Sequence, residues 1–75
     1  MQIDIAKLET FAEAQARRSR QFQSVESFRW FTRRHHDELV AAGAMLIIAR
    51  RPWINPQPFD QVVASVGLAQ ARAIA

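Results

Sequence analysis

Residues 24–56 read SVESFRWFTRRHHDELVAAGAMLIIARRPWINP, and the change of hydrophobic period inside this stretch decides the architecture. Ser24 is suited to cap a helix. The apolar side of that helix on a wheel of about 100° per residue gathers Val25, Phe28, Phe31, Thr32, His35 and Leu39. The spacing predicts that this helix runs to Ala41 or Ala42 and stops at Gly43. Met45-Leu46-Ile47-Ile48 is then apolar and rich in β-branched residues, Arg50-Arg51-Pro52 interrupts it, and Trp53-Ile54 resumes it. That pattern predicts a short β-hairpin with a basic tip. Pro52 lacks a ladder donor and belongs at the turn or at a strand edge. Asn55 as N-cap and Pro56 as first helical residue open a last helix. Its stripe is Phe59, Val62, Val63 and Val66, and Gly67 is its expected stop.

Upstream, Asp4 is the expected cap of a first helix reaching Gln15–Arg18, with Ile5, Leu8, Phe11 and Ala12 on its apolar face. Glu9 and Glu13 fall on its polar side, where Glu13 can pair with Arg17 one turn later. Arg17-Arg18-Ser19-Arg20-Gln21 loses the apolar period and reads as a connection or a frayed helix end. Downstream, residues 68–75 are alanine-rich and suit another helical turn, a tail or a dimer contact. There is no internal repeat and no linker, so residues 1–75 read as one domain.

Length and composition narrow the function. A chain of 75 residues buries only about 60% of its unfolded surface, so its core is thin and a deep substrate pocket is excluded. Apolar residues make up 49% of the chain, too many for a disordered one. With no cysteine, disulfides, thiolate metal sites and thiol catalysis are out. The longest apolar run, Val40–Ala49, falls well short of the roughly 20 residues that span a bilayer. Met1-Gln2-Ile3-Asp4-Ile5 has no basic segment ahead of a hydrophobic stretch and does not read as a secretory signal; a cytoplasmic location is expected.

The net charge of +3 is unevenly spread. Residues 1–16 balance to −2, residues 17–34 to +5, residues 35–49 to −2 and residues 50–75 to +2. Nine of the ten basic residues are arginine, whose planar fork suits phosphates and guanine edges. Positive charge focused on one helix and one hairpin tip is the expected footprint of a polyanion partner. The exposed side of the second helix carries Glu26, Trp30, Arg33, Arg34 and Asp37, with Arg29 at its boundary. Helix, connection, helix, β-hairpin, helix is the order of a winged helix-turn-helix, a mainly α fold with a small β-hairpin. In that scaffold a helix enters the major groove while the wing reaches the backbone or the minor groove.

The run from Ser24 to Val66 also resembles the small excisionase and AlpA-type regulators of phages, plasmids and integrative elements. The resemblance rests on Ser24-Val25-Glu26-Ser27-Phe28-Arg29-Trp30-Phe31, on Leu39 with Ala42-Gly43-Ala44, and on Ile48-Ala49-Arg50-Arg51. It continues through Trp53-Ile54-Asn55-Pro56 and Phe59-Asp60. It covers about two-thirds of the chain, and it lies in order and spacing more than in any invariant motif. The chain departs from it at Ala49-Arg50-Arg51-Pro52, where such proteins often place a glycine before the basic pair. The resemblance implies a MerR-like winged fold and sequence-specific binding of double-stranded DNA, as a recombination directionality factor or as a transcription regulator. It also implies an integrase or recombinase as partner, self-association on DNA, and a nucleoid-associated location.

The candidate contacts are Arg17, Arg18, Arg20, Ser27, Arg29, Trp30, Arg33, Arg34, Arg50 and Arg51. Each has a plainer structural reading. Arg17, Arg18 and Arg20 suit a helix C-terminus, and Arg33 and Arg34 can pair with Asp37 and Glu38. Glu26 suits a helix N-terminus, and Trp30 packs against the wing or the first helix if it is not a contact. Trp53 and the phenylalanines read as core. His35 and His36 point about 100° apart on a helix, the i, i+4 pair is absent, and so no metal site is expected. No nucleophile triad, carboxylate dyad or phosphate loop is present, and the chain does not read as an enzyme; no cofactor is expected. The competing function is a protein-interaction module, such as a phage-encoded inhibitor or an antitoxin-like partner. Single-stranded nucleic-acid binding through Trp30 ranks last.

Overall fold

The computed structural model describes residues 3–74; Met1, Gln2 and Ala75, the ends of the N-terminal stretch and of the alanine-rich tail, lie outside them. Four helices and a two-stranded antiparallel hairpin follow one another: α1 (Phe11–Arg17), α2 (Val25–Arg34), α3 (His36–Ala41), β1 (Met45–Ile48), β2 (Arg51–Ile54) and α4 (Pro56–Ile74). The first helix begins later than its apolar spacing suggests. Asp4 caps only a single 3₁₀ turn, Ile5–Lys7. Thr10 is the true cap of α1. Its hydroxyl accepts from the Glu13 N–H while the Glu13 carboxylate accepts from the Thr10 N–H, a reciprocal capping box. The Thr10 backbone N–H, and after it the Thr10 hydroxyl, hold the Glu13 carboxyl below its ordinary pKa and leave it committed to the cap rather than to Arg17. Ile5 and Ala12 are accordingly exposed, and Ala14 is the buried residue of α1.

Ser24 caps α2 as expected, but the long second helix is two helices. Thr32 Oγ1 donates back to the Arg29 carbonyl at 2.8 Å, a contact that bends helices, and the backbone leaves helical geometry at His35. The apolar side survives the break: Phe28, Thr32 and Leu39 are buried, and Val25, Phe31 and His35 are half-buried. Gly43 ends α3 at φ 72°, where its N–H donates to the Val40 carbonyl and the Ala44 N–H to the Leu39 carbonyl. This is the double bond pattern of a Schellman stop, and it needs the left-handed conformation that glycine takes freely.

The hairpin pairs Met45 with Ile54, Leu46 with Trp53, Ile47 with Pro52 and Ile48 with Arg51. Its turn is therefore Ala49-Arg50, and Arg51 opens β2 instead of sitting at the tip. Both turn residues have positive φ, the signature of a two-residue type I′ turn. Such a turn makes Ile48–Arg51 a hydrogen-bonded pair and Ile47–Pro52 a non-hydrogen-bonded one, so the missing donor of Pro52 faces away from β1. Beyond it on that edge, Ile54 exchanges both backbone bonds with Glu9 at 2.8 Å, and Glu9 acts as a one-residue third strand.

Pro56 opens α4, but the Asn55 amide donates to the Gly43 carbonyl at 3.2 Å and ties the helix start to the α3 stop. The helix does not end at Gly67; it runs on to Ile74, with residues 67–74 all exposed. The core is shared by α1, α2, α3, the base of the hairpin and the first half of α4, through Ala14, Phe28, Leu39, Met45, Ile54 and Phe59. Phe28 sits at its centre, edge-on to Phe11 at 5.4 Å and to Phe22 at 5.2 Å, and tilted against Phe59 at 5.2 Å. Such pairs add about 0.5–1.5 kcal/mol each beyond burial. Trp53 is only half-buried, in a shallow apolar cleft with Ile5, Leu8 and Ile48. No helix among the described residues is long and apolar enough to cross a membrane.

Candidate functional site

The ten candidate residues separate into two groups. Arg18 belongs to the interior. It is 8% exposed, and its guanidinium donates to Asp60 Oδ1 at 2.7 Å, to Glu9 Oε1 at 3.1 Å and to the Ala14 carbonyl at 2.9 Å. It also lies 5.2 Å from the centre of the Phe59 ring. Burial alone would lower its pKa; the bonds and charges of Asp60 and Glu9 outweigh that and raise it above the ordinary arginine value. Each of the three guanidinium nitrogens of Arg18 is bonded from within, so the structure holds this arginine in the interior and not among the outward-facing ones. Arg17 reaches the other oxygen of Glu9, with its side chain largely in solvent. Ser27 is exposed, but its hydroxyl is engaged in the α2 capping box, accepting from the Ser24 N–H and donating to the Ser24 carbonyl.

Arg20, Arg29, Arg33, Arg34, Arg50 and Arg51 are exposed and make no ion pair among the described residues. The expected pairs from Arg33 to Asp37 and from Arg34 to Glu38 do not form. The helix break at His35 turns α3 away from the α2 register, and the two acids meet His36 and His35 instead, at 3.4 and 3.2 Å. Arg29 and Arg33 stand one turn apart on the same side of α2, as do Trp30 and Arg34. Trp30 is 60% exposed, with the Arg34 guanidinium 5.6 Å from its ring centre, so its reading as core is overturned. The four residues Glu26, Arg29, Trp30 and Arg33 line one shallow depression.

On its other flank this cationic side of α2 meets the hairpin. Arg29, Thr32 and Arg33 of α2 and His36 of α3 face Met45, Ile47 and Pro52 across a groove of about 290 Å³. Ile47 shares the inward face of the hairpin with the buried Met45, yet it is 65% exposed because the outer half of the hairpin overhangs the core. Reading the sequence missed His36, Ile47 and Pro52 as parts of this surface. The period-two pattern marks Ile47 as inward-facing, and only the size of the core shows that nothing lies beneath it. Arg50 stands at the hairpin tip at φ 65°.

Among the described residues no three metal-ligating side chains come together. No family model matches the chain, and neither does any curated protein or solved structure.

Proposed function

We propose that this chain is a winged helix-turn-helix protein of the excisionase and AlpA type that binds double-stranded DNA sequence-specifically. It would serve a mobile element as a recombination directionality factor or a transcription regulator. In this reading α2 enters the major groove with Arg29, Arg33 and Arg34, and the β1–β2 wing reaches the backbone or the minor groove with Arg50 and Arg51. The observation that carries it is the division among the arginines. Arg17 and Arg18 are bound to Glu9 and Asp60, while those on the outer side of α2 and on the hairpin have no acidic partner among the described residues.

Fluorescence anisotropy tests it, with labelled duplexes from the gene's own neighbourhood set against random duplex at moderate salt. A site bound more tightly than random DNA is the expected result, and none would overturn the proposal. Replacing Arg33 and Arg34 together with alanine should cost about 1–3 kcal/mol of specific binding for each arginine that pairs with a base, and should flatten the salt slope by about 0.9 for each that meets a phosphate.

A further inference from the structure

The groove between α2 and the hairpin has two unlike walls. One is cationic, with Arg29 and Arg33 presented in register from α2 and His36 beside them; the other is apolar, built from the cross-strand pair Ile47 and Pro52. No acidic side chain lines it, and neither arginine is held by an ion pair among the described residues. At about 290 Å³ it is open to solvent along its length, unlike the concave chambers that bury most of a small molecule's surface. It is a trough, and its walls suit a ligand that is anionic along one side and weakly polar along the other.

On the reading that the chain binds duplex DNA, we infer that this trough seats one sugar–phosphate strand of that duplex. Arg29 and Arg33 meet successive phosphates, His36 adds a ring N–H donor, and Ile47 with Pro52 packs against the deoxyribose rings. A strand running between a groove-entering helix and a wing presents these two chemistries to opposite walls. The phosphate contacts position the protein, and the sugar contacts remove the exposed Ile47 from water. Ile47 and Pro52 thereby become binding residues although neither is charged.

The two kinds of contact differ in their response to salt. Removing one phosphate contact reduces the slope of log affinity against log salt by about 0.9, whereas an apolar contact releases no counterions. The test is a salt series of anisotropy titrations with a labelled duplex of the best-bound neighbourhood sequence, alongside its single strand. Arg29→Ala and Arg33→Ala should each flatten the slope. Ile47→Ser should weaken binding about three- to tenfold at every salt concentration with the slope unchanged. Ile47→Leu should bind like the unaltered protein, and so should Ile5→Ser, which alters an equally exposed residue (72%) outside the trough. Circular dichroism melts confirm that each variant is folded. Unaltered affinity in Ile47→Ser, with the parent still binding duplex, would overturn the trough and leave the DNA reading standing. Tighter binding of the single strand than of the duplex would overturn it too. A parent that binds no duplex would remove both.

Discussion

Arg50 occupies a conformation that costs an L-residue about 1–2 kcal/mol, and Ala49 beside it does the same. Two-residue hairpin turns of this type favour Asn-Gly, which takes positive φ cheaply. A long cationic side chain at such a position works against stability, and on the proposed reading a DNA contact at the hairpin tip offsets that cost. Arg50→Gly should therefore raise stability by about 1 kcal/mol in urea denaturation while lowering duplex affinity and flattening its salt slope by about 0.9. A variant that gains stability and binds DNA as before would leave Arg50 with no role at the interface. The basic pair was visible in the sequence as a hairpin signal. Which of the two arginines forms the turn was not, because that depends on register. The pairing of Ile48 with Arg51 places Arg51 on the strand. At the same scale Trp30 was ambiguous: a wheel places it outward, but only the packed neighbours show that neither the wing nor α1 covers it.

At the scale of the element, the two glycines behave oppositely. Gly43 ends α3 because Ala44 can return a hydrogen bond to Leu39 and so fix the left-handed stop. Gly67 lies within α4, which continues through Leu68-Ala69-Gln70-Ala71-Arg72, all good helix formers. A glycine signals a stop only where the next residues supply the closing bonds, and no single-residue rule contains that condition. A Cβ at position 67 would meet nothing within 4 Å. Gly67→Ala should thus stabilise the protein by about 0.5–1 kcal/mol, read as a higher midpoint in a urea melt with unchanged m-value. A loss of stability would mean that the outer half of α4 is bent or packed in solution. The start of α1 was legible in the same residue-by-residue terms, since Thr10 followed three residues later by Glu13 is a capping-box signature. The reading from Asp4 and an apolar period beginning at Ile5 passed over that signature, because periodicity does not distinguish an exposed turn from a packed helix. The Ser24 cap, the Gly43 stop, the hairpin and the Pro56 start follow directly from local spacing, whereas the break at His35 that divides the expected second helix into α2 and α3 does not.

At the scale of the molecule, the acidic and basic segments of the chain are not independent patches. Glu9, from the negative first segment, and Asp60, from α4, converge on Arg17 and Arg18 of the most positive one. The positive charge left on the surface of that segment is consequently smaller than its sequence balance and shifted toward α2. No linear charge count reveals this, because the partners lie up to 42 residues apart. The same cluster joins the single-residue strand at Glu9, the end of α1 and the first turns of α4. Arg18 is the member that cannot be spared. It is buried, and without it Glu9, whose side chain is 10% exposed, would keep only its carboxylate bond to Arg17. Removing one partner of a buried ion pair leaves the other uncompensated, which costs about 3–5 kcal/mol. Arg18→Ala should accordingly lose about 3 kcal/mol in denaturant melts, a large part of what a small domain has. Asp60 is 60% exposed on its side chain, so Asp60→Ala should cost about 1 kcal/mol or less. The salt slope of DNA binding separates this role from a contact role: Asp60→Ala keeps Arg18 and the fold, and should leave the slope as it is. If freeing Arg18 in this way steepened the slope by about 0.9, the guanidinium would be within reach of the duplex after all, and the division between internal and outward arginines would have to be redrawn.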